Sequence, residues 1–225
     1  APQNKKTMRQ LPTSFEGYAD VLSRLGYPVK LEFTSIFPPE GGNLRPLSDI
    51  IGEKKNFQQW IGIAPFAAHQ GKILPIEKTE ELIKEISRRH PSCRIFLFGG
   101  GEKEHAVLNA WCERYNNCTN ASQALHSLKE EMVVMSHLDV MVSMDSGNMH
   151  LAAISGTRVI SVWGETHPYA GFLGWNQRPE DCIQADLPCR PCSIYGNKPC
   201  QRGDYACLTS IDPITIADKV DWSLT

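Results

Sequence analysis

The chain has 225 residues, 41% of them hydrophobic, with 23 basic and 25 acidic side chains and a formal net charge of −2. That length holds one large domain or two small ones with a solid core. A near-neutral balance, with only Lys5, Lys6 and Arg9 as a small basic start, speaks against nucleic acid as a partner; no apolar run could span a bilayer and no signal peptide is recognisable, so a cytoplasmic protein is expected.

Residues 1 to about 12 read as a disordered lead. Thr13-Ser-Phe-Glu16 is a capping box, and Phe15, Tyr18, Leu22 and Leu25 place one apolar stripe on a helix that Gly26 ends. Val29 to Phe33 alternates weakly and reads as a strand, followed by the loop or linker Phe37-Pro-Pro-Glu-Gly-Gly42. The α/β alternation begins near Phe57. Trp60 to Pro65 reads as a strand, and the loop Phe66 to Leu74 after it carries His69 and Lys72. Pro75 opens a helix whose apolar positions Ile76, Leu82, Ile83 and Ile86 share one face. Arg94-Ile-Phe-Leu-Phe is a strand that ends in Gly99, Gly100, Gly101 and Glu102, with a helix through about Cys112. A helix over 125–137 leads to a strand over 139–144, a helix over 147–155, a strand over 158–163, a short strand near 181–185 and a last helix after Asp212-Pro213. Strands alternating with helices predict an α/β domain with a single doubly wound parallel sheet of five or six strands.

The chemistry collects where open α/β sheets bind ligands, at the carboxyl ends of the strands. The run Val140 to Met144 is apolar but for Ser143 and shows no alternation, as expected of a strand covered on both faces, and Asp145, Ser146 and Gly147 follow at once. Asp145 or Ser146 can cap the helix that follows, whose first-turn N–H groups can hold an anion; Gly156 is placed to end it. Asp145 is otherwise a contact for a ligand group at the strand ends, sugar hydroxyls being the contact that the resemblance below implies. His150, one turn further, is a packing residue or a ligand contact. Lys72 is a solvated loop lysine or the cation that neutralises a diphosphate; His69 is a weaker candidate. The glycine run lets backbone approach a ligand, although it lacks the spacing of a dinucleotide fingerprint. Glu102 is a first-turn acid that suits the helix dipole, or an acceptor for ribose hydroxyls. Thr166 and His167 follow the next strand end, and Trp163, Tyr169, Phe172 and Trp175 either wall the cleft or pack a loop.

The block Asp145-Ser-Gly-Asn-Met-His-Leu-Ala-Ala, with Gly156 and the strand to Trp163-Gly164-Glu-Thr-His-Pro168, resembles the signature of glycosyltransferase family 9, the heptosyltransferases. The Lys72 loop, the Phe98-Gly-Gly-Gly-Glu102 turn and Cys189-Arg-Pro-Cys192 match it in order and approximate spacing. The resemblance covers roughly residues 60 to 220. It implies the carboxyl-terminal Rossmann-like half of a GT-B transferase over residues 57–225, with residues 1–56 a helix and linker remnant of an upstream domain. It implies donor binding by Lys72, Glu102, Asp145, Ser146, Gly147 and His150. The donor would be a nucleotide sugar of ADP-heptose type. The acceptor would be a saccharide or glycolipid of lipopolysaccharide-core type, met peripherally at a membrane surface. No cofactor and no metal are called for, since Lys72 and the helix start can carry the leaving diphosphate. The general base of this inverting chemistry would come from the upstream domain, and no residue here matches it. A nucleotide-binding module without transferase activity and an epimerase-like domain are the alternatives.

Eight cysteines are many for a cytosolic protein. Cys93, Cys112 and Cys118 read as inert core thiols. Cys182, Cys189, Cys192, Cys200 and Cys207 crowd into a loop whose pattern is an imperfect zinc motif, because Cys200 and Cys207 do not repeat the C-x-x-C spacing. Zinc, disulfides and packed thiols all fit it, and a structural loop without metal is the expectation.

Overall fold

A computed structural model describes residues 8–225. Residues 1–7 of the expected disordered lead lie outside the described residues; of the remainder, Leu11 N donates to the Tyr169 carbonyl at 2.9 Å. Helix α1 (Ser14–Arg24) starts with the expected capping box: Thr13 Oγ1 accepts from Glu16 N, and Glu16 returns the bond to Thr13 N. None of its residues is buried. It is followed by α2 (Ser48–Ile51), and Leu47 and Ile51 do enter the core.

Six strands form one sheet, and every pair is parallel. They are β1 (Trp60–Ala64), β2 (Arg94–Leu97), β3 (Cys118–Asn120), β4 (Val140–Met144), β5 (Val159–Trp163) and β6 (Cys182–Gln184). The order across the sheet is β3-β2-β1-β4-β5-β6, the doubly wound order whose direction of winding reverses between β1 and β4. The crossovers are α3 (Ile76–Arg89), α4 (Gly101–Arg114), α5 (Ala121–Ala124) with α6 (Leu128–Met135), and α7 (Gly147–Ile154); α8 (Ala206–Thr209) and α9 (Pro213–Ser223) close the chain.

Successive side chains of each strand leave opposite faces, so one sheet supports two cores. Ile61, Ile63, Ile95, Leu97, Val140, Val142, Ile160 and Val162 pack one face with Leu82, Ile83 and Ile86 of α3 and Ile216 and Val220 of α9. Trp60, Ala64, Phe96, Phe98, Met141, Val159 and Trp163 pack the other with α2, α6 and α7. Burial on both faces explains why β1, β4 and β5 are apolar without alternation.

Three expectations are corrected. Val29 to Phe33 pairs with no strand; alternation alone cannot make a strand without a partner edge. The helix expected over 125–137 is shorter, α6 over Leu128–Met135, because Ser127 caps it by accepting from Glu130 N; the separate α5 ends at Ala124, before the expected range. The third concerns Asp145: the N-cap position of α7 belongs to Ser146, and Asp145 is engaged elsewhere.

Candidate functional site

The site is assembled at the reversal point of the sheet. Chain leaving β1 turns through Phe66 to His69 into a short 3-10 turn, Gln70–Lys72, that aims Lys72 back over the strand ends. Chain leaving β4 reaches Asp145 one residue past the strand. Lys72 Nζ and Asp145 Oδ2 meet at 3.0 Å, with the carboxylate almost fully buried and the ammonium mostly so. Thr166, buried past the end of β5, donates its hydroxyl to the same Oδ2 at 2.9 Å. Two donors therefore fix the Asp145 carboxylate, which in turn holds Lys72 at the head of α7.

That head lacks a side-chain cap. Ser146 Oγ makes no bond to the first turn and lies 3.4 Å from Ser143 Oγ. The N–H groups of the first helical turn are without intrahelical partners by construction, and they form an anion-binding end. His150 sits one turn along. Burial pushes its pKa down, Lys72 adds to this and Asp145 opposes it, so a neutral imidazole results. These groups border a cavity of about 320 Å³ lined by Ala68, Lys72, Asp145, Ser146, Gly147 and His150 on one side and Phe172, Ile194 and Tyr195 on the other.

Of the residues expected from sequence, Lys72, Asp145, Ser146, Gly147 and His150 share that cavity. Glu102 does not line it. Glu102 is exposed in the first turn of α4, after β2, on the far side of β1. Its neighbour Glu104 holds the glycine turn by accepting from Gly100 N at 2.7 Å. His69 is exposed on the β1 loop. Thr166 lies beneath Asp145, and His167 is turned aside: its Nδ1 accepts from Tyr169 N and burial lowers its pKa. Trp163 is core, and Trp175 packs against Phe15 and Phe33.

Two residues escaped the sequence reading. Arg190, inside the C-x-x-C pair, is buried and donates to four backbone carbonyls, those of Trp163, Gly164, Thr166 and Ala185. It fastens the cysteine-rich loop to the end of β5. Glu165 is fully buried with both carboxylate oxygens unpartnered, and burial raises its pKa. Its backbone bridges the site loops: Glu165 N donates to Gly71 O, and Cys192 N donates to Glu165 O. The signal for both lay in charged residues next to Gly and Pro inside a motif, which reads equally well as surface. Among the described residues no group of His, Cys, Asp and Glu is arranged to hold a metal. Burial drives the thiol of Cys118 up to about 12 and that of Cys207 to about 11, so both are inert at neutral pH.

A doubly wound sheet with a cation and an open helix end at its reversal point defines a Rossmann-like domain. The family profile of glycosyltransferase family 9 (heptosyltransferase) matches residues 45–200, and the chain belongs to that family. It is 22% identical over 131 residues to the lipooligosaccharide heptosyltransferase 2 of Campylobacter jejuni, an alignment covering 56% of this chain and 39% of that protein. The family 9 glycosyl transferase of Veillonella parvula superposes with a TM-score of 0.68 at 16% identity, over 97% of this chain and 62% of that one. An E. coli heptosyltransferase solved with ADP gives 0.57 at 18% identity, over 90% of this chain and 53% of the other. The chain thus spans about half the length of most relatives it matches. Among the described residues no helix is long and apolar enough to cross a membrane.

Proposed function

We propose that residues 57–225 form the donor-binding domain of an inverting glycosyltransferase that uses a nucleotide-activated sugar of ADP-heptose type in building a lipopolysaccharide-core-like glycan. The observation that carries this reading is the Lys72–Asp145 pair, 3.0 Å apart beside an uncapped helix start. An ammonium, helical N–H groups and a neutral imidazole donor from His150 together suit a diphosphate, and they stabilise it best as it leaves with an added charge. Asp145 has lone pairs left for sugar hydroxyls. Glu102, at the head of α4, accepts from the ribose hydroxyls.

In this chemistry a base takes the proton of the acceptor hydroxyl as that oxygen attacks the anomeric carbon and the diphosphate departs. Asp145 is the carboxylate of the cavity wall, and Lys72 and Thr166 already hold its Oδ2. Glu165 is enclosed. Glu165 is thereby closed to an acceptor, whereas Asp145 keeps its Oδ1 for the sugar hydroxyls; in this reading the base comes from outside residues 57–225. The acceptor saccharide or glycolipid meets the donor from the same side, with the protein cytoplasmic and a membrane approached only peripherally. Titration calorimetry of ADP against the 225-residue chain and against Lys72→Ala tests the reading. A loss of about 1–3 kcal/mol on substitution is expected; equal affinities, with the fold intact by circular dichroism, would remove Lys72 from the site.

A further inference from the structure

We infer that Tyr195 and Phe172 form an aromatic wall against which the glycosyl group of the donor stacks; this rests on the donor-binding reading above. The sheet order assigns the two ends of the ligand. The cation and the open helix end lie after β1 and β4, which fixes the diphosphate at the reversal point. Glu102 follows β2, on one side of that point, and marks the nucleoside side. Phe172 follows β5, and Ile194 and Tyr195 follow β6, on the opposite side, and all three line the same cavity as Lys72 and Asp145. A nucleoside diphosphate sugar carries its nucleoside and its sugar on opposite ends of the diphosphate, so with the nucleoside on the β2 side the wall on the β5–β6 side is offered to the sugar.

The wall is built, not merely exposed. The ring centroids of Phe172 and Tyr195 are 6.1 Å apart with an interplanar angle of 42°. Tyr195 retains 60% of its surface, although it stands over a cavity. The loop that carries it is held at several points. Arg190 ties its base to the end of β5, Cys192 N donates to Glu165 O, and Ser193 Oγ accepts from Gly196 N at 2.9 Å and Asn197 N at 3.3 Å. Gly196, at φ +69°, presses so closely on the Lys72 stem that a Cβ there would lie 2.7 Å from Lys72 Cγ. The same loop therefore sets the lysine and presents the ring. An aromatic face covers the C–H surface of a sugar at small entropic cost and leaves the hydroxyls to Asp145.

The test compares two probes, ADP and ADP-heptose, by titration calorimetry on the 225-residue chain. Tyr195→Ala should weaken ADP-heptose about tenfold, the scale of one aromatic contact, with ADP unchanged; Tyr195→Phe should retain wild-type affinity for both. An equal loss for the two probes, or no loss for either, while Lys72→Ala still weakens both, would overturn the stacking role and leave the donor-binding reading standing. If Lys72→Ala weakens neither probe, the donor-binding reading falls and the wall falls with it.

Discussion

Lys72 and Asp145 are the first charged residues to follow β1 and β4, the two central strands, and their side chains meet at 3.0 Å across the point where the sheet reverses its winding. The pair is nearly enclosed, so each charge depends on the other. Lys72→Ala would leave a buried carboxylate with only the Thr166 hydroxyl. It should cost about 1–3 kcal/mol of stability in urea unfolding, apart from its effect on ADP.

Thr166→Val keeps the shape of the side chain and removes the hydroxyl that donates to Asp145 Oδ2. A stability loss of about 1 kcal/mol is expected. The weakening of ADP should be smaller than that of Lys72→Ala, because Thr166 acts only through Asp145. A Thr166→Val chain that bound ADP as poorly as Lys72→Ala would place Thr166 in direct contact with ligand.

Glu165 yields a pH-dependent prediction. Burial raises its pKa, so the native state keeps the proton where the unfolded chain has released it. The stability this acid contributes is fully present below the ordinary glutamate value, about 4.3, and is lost as pH rises through the raised native value. Glu165→Gln cannot ionise. It should melt above the wild type at about pH 8 and lose that advantage by about pH 4. A difference in melting temperature that is the same at both ends would show that Glu165 does not titrate on unfolding.

Arg190→Ala removes donors from four backbone carbonyls at once, three of the bonds buried and the one to Ala185 partly so. Roughly 3 kcal/mol of destabilisation is expected, and Arg190→Lys should recover little, because an ammonium cannot span the same four acceptors. Protease sensitivity should appear first in the chain from Pro191 to Cys200. Cleavage elsewhere would indicate a different anchor for that loop.

Gly196→Ala tests the contact with Lys72. The left-handed backbone at φ +69° and the 2.7 Å approach to Lys72 Cγ both oppose a side chain. The substitution should weaken ADP by displacing the lysine, whereas Gly203→Ala, at φ +78° with nothing near its Cβ, should carry only the backbone strain and bind ADP normally.

The sheet was legible where strands are buried on both faces. Largely apolar runs without alternation at Trp60 to Ala64, Val140 to Met144 and Val159 to Trp163, each followed by polar or small residues, mark the centre of a parallel sheet. The three-residue strand Cys118–Asn120 gave no such sign, being too short and too mixed to show a period. Lys72 and the Asp145 block were legible one by one, from their place after strands. Their partnership was not, because nothing in the spacing of two residues so far apart in sequence states that β4 lies beside β1. Glu165 and Arg190 were missed for a related reason. Their polarity suggests water, and only the packing of the cysteine-rich loop over the end of β5 puts them inside.

The register that pairs Ile61 with Val140 also bears on how this chain acquires its site. Two parallel strands separated by α3, β2, α4, β3, α5 and α6 in sequence can pair only after a long loop has closed, a slow step that local helix formation cannot replace. Until β1 and β4 are side by side there is no Lys72–Asp145 pair and no place for a diphosphate. A nucleotide would then recognise only chains that have completed the sheet. It would stabilise the whole domain by RT ln(1 + [L]/Kd), and so raise its melting temperature, without rescuing any partly folded form.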